Sequence, residues 1–86
     1  MPEITQFYGI HVTMYYDDHS PPHFHAEYGK CKVIVGINNA KILHGTFPLK
    51  QSKLLLAWCV IHQKELLQNW KLAKEKQILR KISPLI

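Results

Sequence analysis

Apolar residues recur at every second position between residues 10 and 16, where Ile10, Val12, Met14 and Tyr16 alternate with His11, Thr13 and Tyr15. A period of two is the pattern of a strand with one face on a core. Ahead of it lies a short β-prone run at residues 4–8, and Gly9 permits a tight connection or bulge between the two. After a loop at residues 17–23, alternation resumes over residues 24–37. There Cys31, Val33, Val35 and Ile37 take one face, and Lys30, Lys32 and Ile34 the other. Asn38-Asn39 carries a two-residue hairpin signal, because asparagine tolerates left-handed backbone. The returning strand, residues 40–47, sets Leu43 and Phe47 opposite His44 and Thr46. These segments predict three or four antiparallel strands in a meander.

At Pro48 the period changes. Proline suits a helix start, where its missing N–H costs nothing, and no further Gly or Pro occurs until Pro84. Residues 54–61 are apolar at every position, so that stretch needs cover on more than one side. The sheet can supply one side; the C-terminal segment or a second subunit must supply the other. Leu66, Trp70 and Ala73 then form an ordinary amphipathic stripe flanked by Lys64, Lys71 and Lys74. This stripe is rotated relative to the earlier apolar face. The helical region, about residues 49–77, is therefore one long kinked helix or two helices broken near His62-Gln63. The tail, residues 78–86, holds Ile78, Leu79, Ile82, Leu85 and Ile86, and is expected to dock on the body. The fold class is α+β, in a single domain over residues 1–86.

Composition narrows the class. An 86-residue chain with 47% hydrophobic and 20% charged residues fits one globular domain and excludes a disordered tail. The longest apolar run is eight residues, against the roughly 20 of a membrane-spanning helix. With no secretion signal at the N-terminus, the expected location is cytoplasmic. Cys31 and Cys59 lie far apart and outside any Cys-x-x-Cys spacing, which argues against a disulfide scaffold and a thiolate zinc site.

The net charge of +5 is unevenly spread. Residues 1–49 hold three lysines and four acids; residues 50–86 hold seven lysines and Arg80 against Glu65 and Glu75. Lys64, Lys71, Lys74, Arg80 and Lys81 are candidates for a nucleic-acid or acidic-partner surface. The other reading is a solvated helical face, since seven of the eight cations are lysine rather than the bidentate arginine. No helix-turn-helix, zinc-finger or RNA-recognition motif accompanies them. Trp58 and Trp70 read as core, or as a dimer contact. His44 and His62 stand alone and read as core or surface histidines.

Candidate chemistry concentrates in Asp17-Asp18-His19-Ser20-Pro21-Pro22-His23-Phe24-His25-Ala26-Glu27, which holds three of the six histidines. Two prolines stiffen the loop. From His23 onward, strand alternation aims His23, His25 and Glu27 to one face. As metal ligands, two imidazoles and a carboxylate leave a position open for substrate on zinc, manganese or a similar divalent ion. His19, Asp17 or Asp18 could complete the set. Without a metal, His23 and His25 could serve as general acid and base on a phosphodiester, or meet a phosphate when protonated. In a structural role their nitrogens would pin the loop to the sheet while Phe24 packs inward. Tyr16, His19 and Tyr28 are candidate contacts for a small anionic ligand, and Tyr15, near the same loop, could also donate a hydrogen bond to it, although strand tyrosines more often pack their rings.

The segments Pro2–Ile10, Met14–Tyr28 and Glu65–Trp70, followed by Ala73, resemble the small bacterial proteins grouped as domain of unknown function 4160. Its signature falls on His19, Pro21, Pro22, His23, His25 and Glu27. Asn38-Asn39 departs from the glycine-containing turn commoner in such proteins, and the two cysteines are idiosyncratic. The resemblance implies an accessory role in a toxin-antitoxin-like or mobile-element module, often beside a second small protein encoded nearby. The leading expectation is thus an interaction protein, homodimeric through its helical region, with the histidine loop as binding surface and the basic helices toward nucleic acid or an acidic partner. The alternatives are a metal- or histidine-dependent phosphodiesterase or nuclease using His23, His25 and Glu27, and a binder of a small anionic ligand.

Overall fold

The computed structural model describes residues 3–16 and 18–85. Asp17, a candidate spare ligand, and Ile86, expected in the docked tail, lie outside the described residues. Five antiparallel strands form one sheet in sequence order: β1 (Glu3–Phe7), β2 (Ile10–Thr13), β3 (His23–Tyr28), β4 (Cys31–Gly36) and β5 (Lys41–Gly45). Two helices follow, α1 (Leu49–Ile61) and α2 (Gln63–Lys74). The α+β expectation holds, but the strand count of three or four is too low.

The extra strand comes from a hairpin inside residues 24–37. Inward positions are even before Gly29-Lys30, at Phe24 and Ala26, and odd after it, at Val33 and Val35. That parity change marks a two-residue turn, with Gly29 at φ +57° and Tyr28 facing Cys31 across the pair. The next turn corrects a second expectation. Gly36 pairs with Lys41, so four residues make the connection rather than Asn38-Asn39 alone, and the left-handed residue is Ala40, at φ +50°. The connection at Tyr8-Gly9 is tight, as Gly9 suggests, and Phe7 faces Ile10.

One face of the sheet packs on the helices. Ile10, Val12, Met14, Phe24, Val35 and Ile37 are fully buried there, and Trp58 of α1 meets both Phe7 and Phe24 with ring centroids 5.6 Å apart. The helical region is two helices, broken at His62 (φ −107°, ψ 24°). Gln63 fixes the start of α2, donating from Nε2 to the carbonyls of Ile37 and Asn38, both at 2.9 Å. No described helix is long and apolar enough to cross a membrane.

The tail docks by hydrogen bonds as much as by apolar burial. The Ile82 N–H donates to the Ile4 carbonyl on the edge strand β1, and Trp58 Nε1–H to the Ser83 carbonyl. Buried Asn69 accepts from the Arg80 N–H and donates to the Arg80 carbonyl. Ile82 is buried and Leu79 and Leu85 are half-buried, but Ile78 is 87% exposed, against the expectation for that residue. Cover of α1 is also incomplete. Leu55, Trp58 and Cys59 are buried, whereas Leu49, Val60 and Ile61 are 73%, 62% and 64% exposed. Burial pushes the Cys59 thiol up to about 11, so this cysteine behaves as a small apolar core residue.

Candidate metal centre

His25 projects from β3 on the face that carries no helix, one residue from Phe24 in the core. The alternation that buries Phe24 and Ala26 turns His23, His25 and Glu27 the other way. His23, at the start of β3, reaches the end of α2, where its ring lies 5.1 Å from that of Trp70. The loop before it folds back on the strand. Lys74 donates from Nζ to the Asp18 carbonyl at 2.7 Å, across 56 residues of sequence, and lies over the Trp70 ring.

The returned loop brings Asp18 onto the two histidines. Asp18 Oδ2 is 2.9 Å from His23 Nε2 and 3.6 Å from His25 Nε2, and the three ligand atoms lie within 4.8 Å of one another. Ligands held tetrahedrally at 2.0–2.1 Å from a zinc ion would stand about 3.4 Å apart, a value these two separations bracket. His23 Nδ1 lies 2.7 Å from the Pro21 carbonyl. A carbonyl only accepts, so Nδ1 carries a proton and donates it. Nε2 then faces a carboxylate and needs either a second proton or a cation in its place. His25 Nε2 is buried and has no hydrogen-bond partner among the described residues.

The protonation tendencies follow from these contacts. Partial burial alone would raise the Asp18 pKa, but the His19 N–H and the His23 and His25 rings together hold it below the ordinary carboxylate value. Burial lowers the His25 pKa; Asp18 works in the opposite direction, and the neighbouring His23 charge lowers it further. A neutral imidazole beside an ionised carboxylate is the state that ligates a cation.

The other sequence candidates stand apart from this convergence. Glu27 shares the face of His25, but its carboxylate pairs with Lys32 at 3.9 Å and lies outside the three-donor group. His19 has a 94% exposed side chain, with Nδ1 3.3 Å from the other Asp18 oxygen. Tyr16 is exposed in the loop. Tyr28 turns to the opposite side of β3, packing on Phe47 and beside Gly9. Of the candidate nucleic-acid residues, Lys74 and Lys81 donate to carbonyls, of Asp18 and Glu3 respectively. Lys64 is exposed on α2, and Lys71 and Arg80 line a hollow with Gln68, Leu72 and Glu75.

Sequence reasoning undervalued four residues here. Asp18 entered only as a spare ligand, although it stands five positions before His23, across the stiff Pro21-Pro22 pair. Tyr15 presents its ring edge-on to His25 at 4.3 Å. Trp70 supports His23 from α2, which no local signal could reveal. His44 joins Asp18, His19, His23, His25 and Leu43 around an open hollow of about 280 Å³; alternation set Leu43 opposite His44, but a register shift between β4 and β5 turns Ile42 to the core and leaves Leu43 exposed beside His44.

A family model described as Domain of unknown function (DUF4160) matches residues 9–71, spanning β2 through most of α2 and the whole three-donor cluster. No curated protein and no solved structure matches the chain.

Proposed function

The chain belongs to the DUF4160 family, and from its site we propose that it is a divalent-metal-dependent phosphodiesterase acting on single-stranded nucleic acid. The observation that carries this reading is the buried, unpartnered His25 Nε2 beside a carboxylate oxygen that already meets His23 Nε2. A histidine with a purely structural role would have that nitrogen bonded, because an unsatisfied buried polar atom costs about 1–3 kcal/mol. Metal-free acid–base catalysis fits less well. Both Nε2 atoms turn toward Asp18.

Asp18, His23 and His25 would hold a cation with the two-histidine, one-carboxylate ligand set of zinc hydrolases and related divalent sites, and that cation would polarise the phosphoryl group and activate a water. The Pro21 carbonyl fixes the His23 tautomer, the usual work of an outer partner. A phosphoryl oxygen and a water bind together in the open hollow. Attack by the water oxygen forms one P–O bond as the ester P–O bond breaks. The water proton passes to an exposed imidazole, His19 or His44, and leaves on the departing alkoxide. Of the cations in residues 50–86 proposed for nucleic acid, Lys74 is the one the structure brings to this loop, through the Asp18 carbonyl.

The test is titration of untagged, metal-stripped protein with zinc and manganese, followed by assay on a labelled single-stranded oligonucleotide. One equivalent of bound metal and cleavage abolished by chelator are expected. Absence of stoichiometric binding overturns the reading.

A second reading rests on a different observation. Leu49, Ala57, Val60 and Ile61 leave an apolar, exposed side on α1, which supports an interaction role with a second copy or a small companion protein. Light scattering of the purified chain, alone and at rising concentration, tests for the homodimer. A monomer at all concentrations rejects the second copy.

A further inference from the structure

The three-donor cluster occupies only one end of the helix-free face. Strand register places Thr13, His25, Ile34 and His44 in one row across β2 to β5, and His11, Glu27 and Lys32 in the next. Two hollows meet on the first row. One, of about 280 Å³, opens on the cluster; the other, of about 240 Å³, is lined by Tyr15, Glu27 and Lys32 among others. They share His25, Ile34 and His44, so they form one groove with an apolar floor at Ile34. The Glu27 row lies two strand residues beyond His25, about 7 Å along β3, a gap that one sugar ring can span.

We infer that the second hollow is a nucleobase subsite, in which Tyr15 and Ile34 hold the base plane while Glu27 and Lys32 read its edge. This inference rests on the phosphodiesterase reading, in which the phosphoryl group sits at the first hollow. The chemistry of the far end fits a base rather than a second phosphate. Glu27 and Lys32 are opposite charges 3.9 Å apart, so together they repel no anion and attract none, but they offer an acceptor beside a donor. A carboxylate accepts from the cytosine amino group, which uracil lacks. An aromatic ring and an apolar floor supply the stacking surface that single-stranded nucleic-acid sites use. The groove therefore selects a nucleotide whose base carries an amino donor next to an acceptor, with cytosine the simplest case. Glu27 acts in specificity and His44 as a contact to the sugar between the two ends.

The probes are cytidine monophosphate, uridine monophosphate and inorganic phosphate, titrated calorimetrically into zinc-loaded protein. Cytidine monophosphate is expected to bind at least about tenfold more tightly than either of the others. Glu27→Gln should erase the preference for cytidine over uridine and leave zinc affinity unchanged. Equal binding of phosphate and cytidine monophosphate, or a loss of zinc affinity in Glu27→Gln, overturns the subsite. If the chain takes up no zinc, the phosphodiesterase reading fails by itself. The subsite is then judged by amide resonances of the metal-free protein: shifts at Tyr15, Lys32 and His44 on adding cytidine monophosphate uphold it, and their absence overturns it.

Discussion

Phe24 and His25 are neighbours on β3 and belong to different regimes. Phe24 is fully buried against Trp58, where each atom gains contact with close-packed neighbours. His25 stands on the bare face, with a buried nitrogen that no described group satisfies. One face of this sheet is resolved by packing; the other keeps an unmet polar demand at one end. A small domain places chemistry where packing does not already dictate the residue, and the contrast predicts that substitutions on the two faces will separate stability from binding.

The largest effect is expected on the covered face. Trp58→Ala removes the ring between Phe7 and Phe24 and the bond to Ser83, and should cost about 3–5 kcal/mol in chemical denaturation. On the bare face, His25→Ala should lower metal affinity by more than about 100-fold, since loss of an outer partner alone costs 10–100-fold. The same change should leave the apo protein as stable as the parent or more stable, because it deletes an unsatisfied buried atom. Calorimetry of metal binding beside a urea melt checks both halves, and a large loss of apo stability would break the comparison.

Asn69→Ala should cost about 1–3 kcal/mol by leaving the Arg80 backbone without its two bonds. Hydrogen exchange at Arg80 should accelerate while amides of β3 stay protected. The smallest effect is a pH dependence. The His25 pKa is lowered by burial, so the unfolded chain binds a proton more readily than the native one. Metal-free protein should therefore lose stability as the pH falls below the ordinary histidine value of 6.5, and His25→Asn should flatten that decline. The Asp18 contribution is lost only below the ordinary aspartate value of 3.8, so thermal melts separate the two.

Much of the covered face was legible in the sequence, because the patterns that specify it are local. Alternation placed Val12 and Phe24 inward, the change of period at Pro48 placed the helical region, and the rotation of two apolar stripes narrowed that region to one kinked helix or two helices broken near His62. The fifth strand was legible too, in the parity change across Gly29-Lys30. The bare face was half-legible. Alternation aimed His23, His25 and Glu27 together, but alternation gives direction, not distance, and so could not show that Asp18 converges on the two histidines.

The sequence by itself determined the faces of the regular strands β2 and β3, since successive Cβ atoms point to opposite sides of a pleated chain, while register shifts in β1 and β5 leave Ile4 and Thr5 both buried and Leu43 beside His44. It also determined that a stiff, histidine-rich loop joins two strands and that the basic charge lies in residues 50–86. Only the tertiary structure decided which of those donors converge. The Asp18 carboxylate meets His23 and His25 because Lys74 and Trp70, more than forty residues later, hold the loop and the ring in place. Contacts between distant segments depend on how whole elements pack, and no local period encodes them.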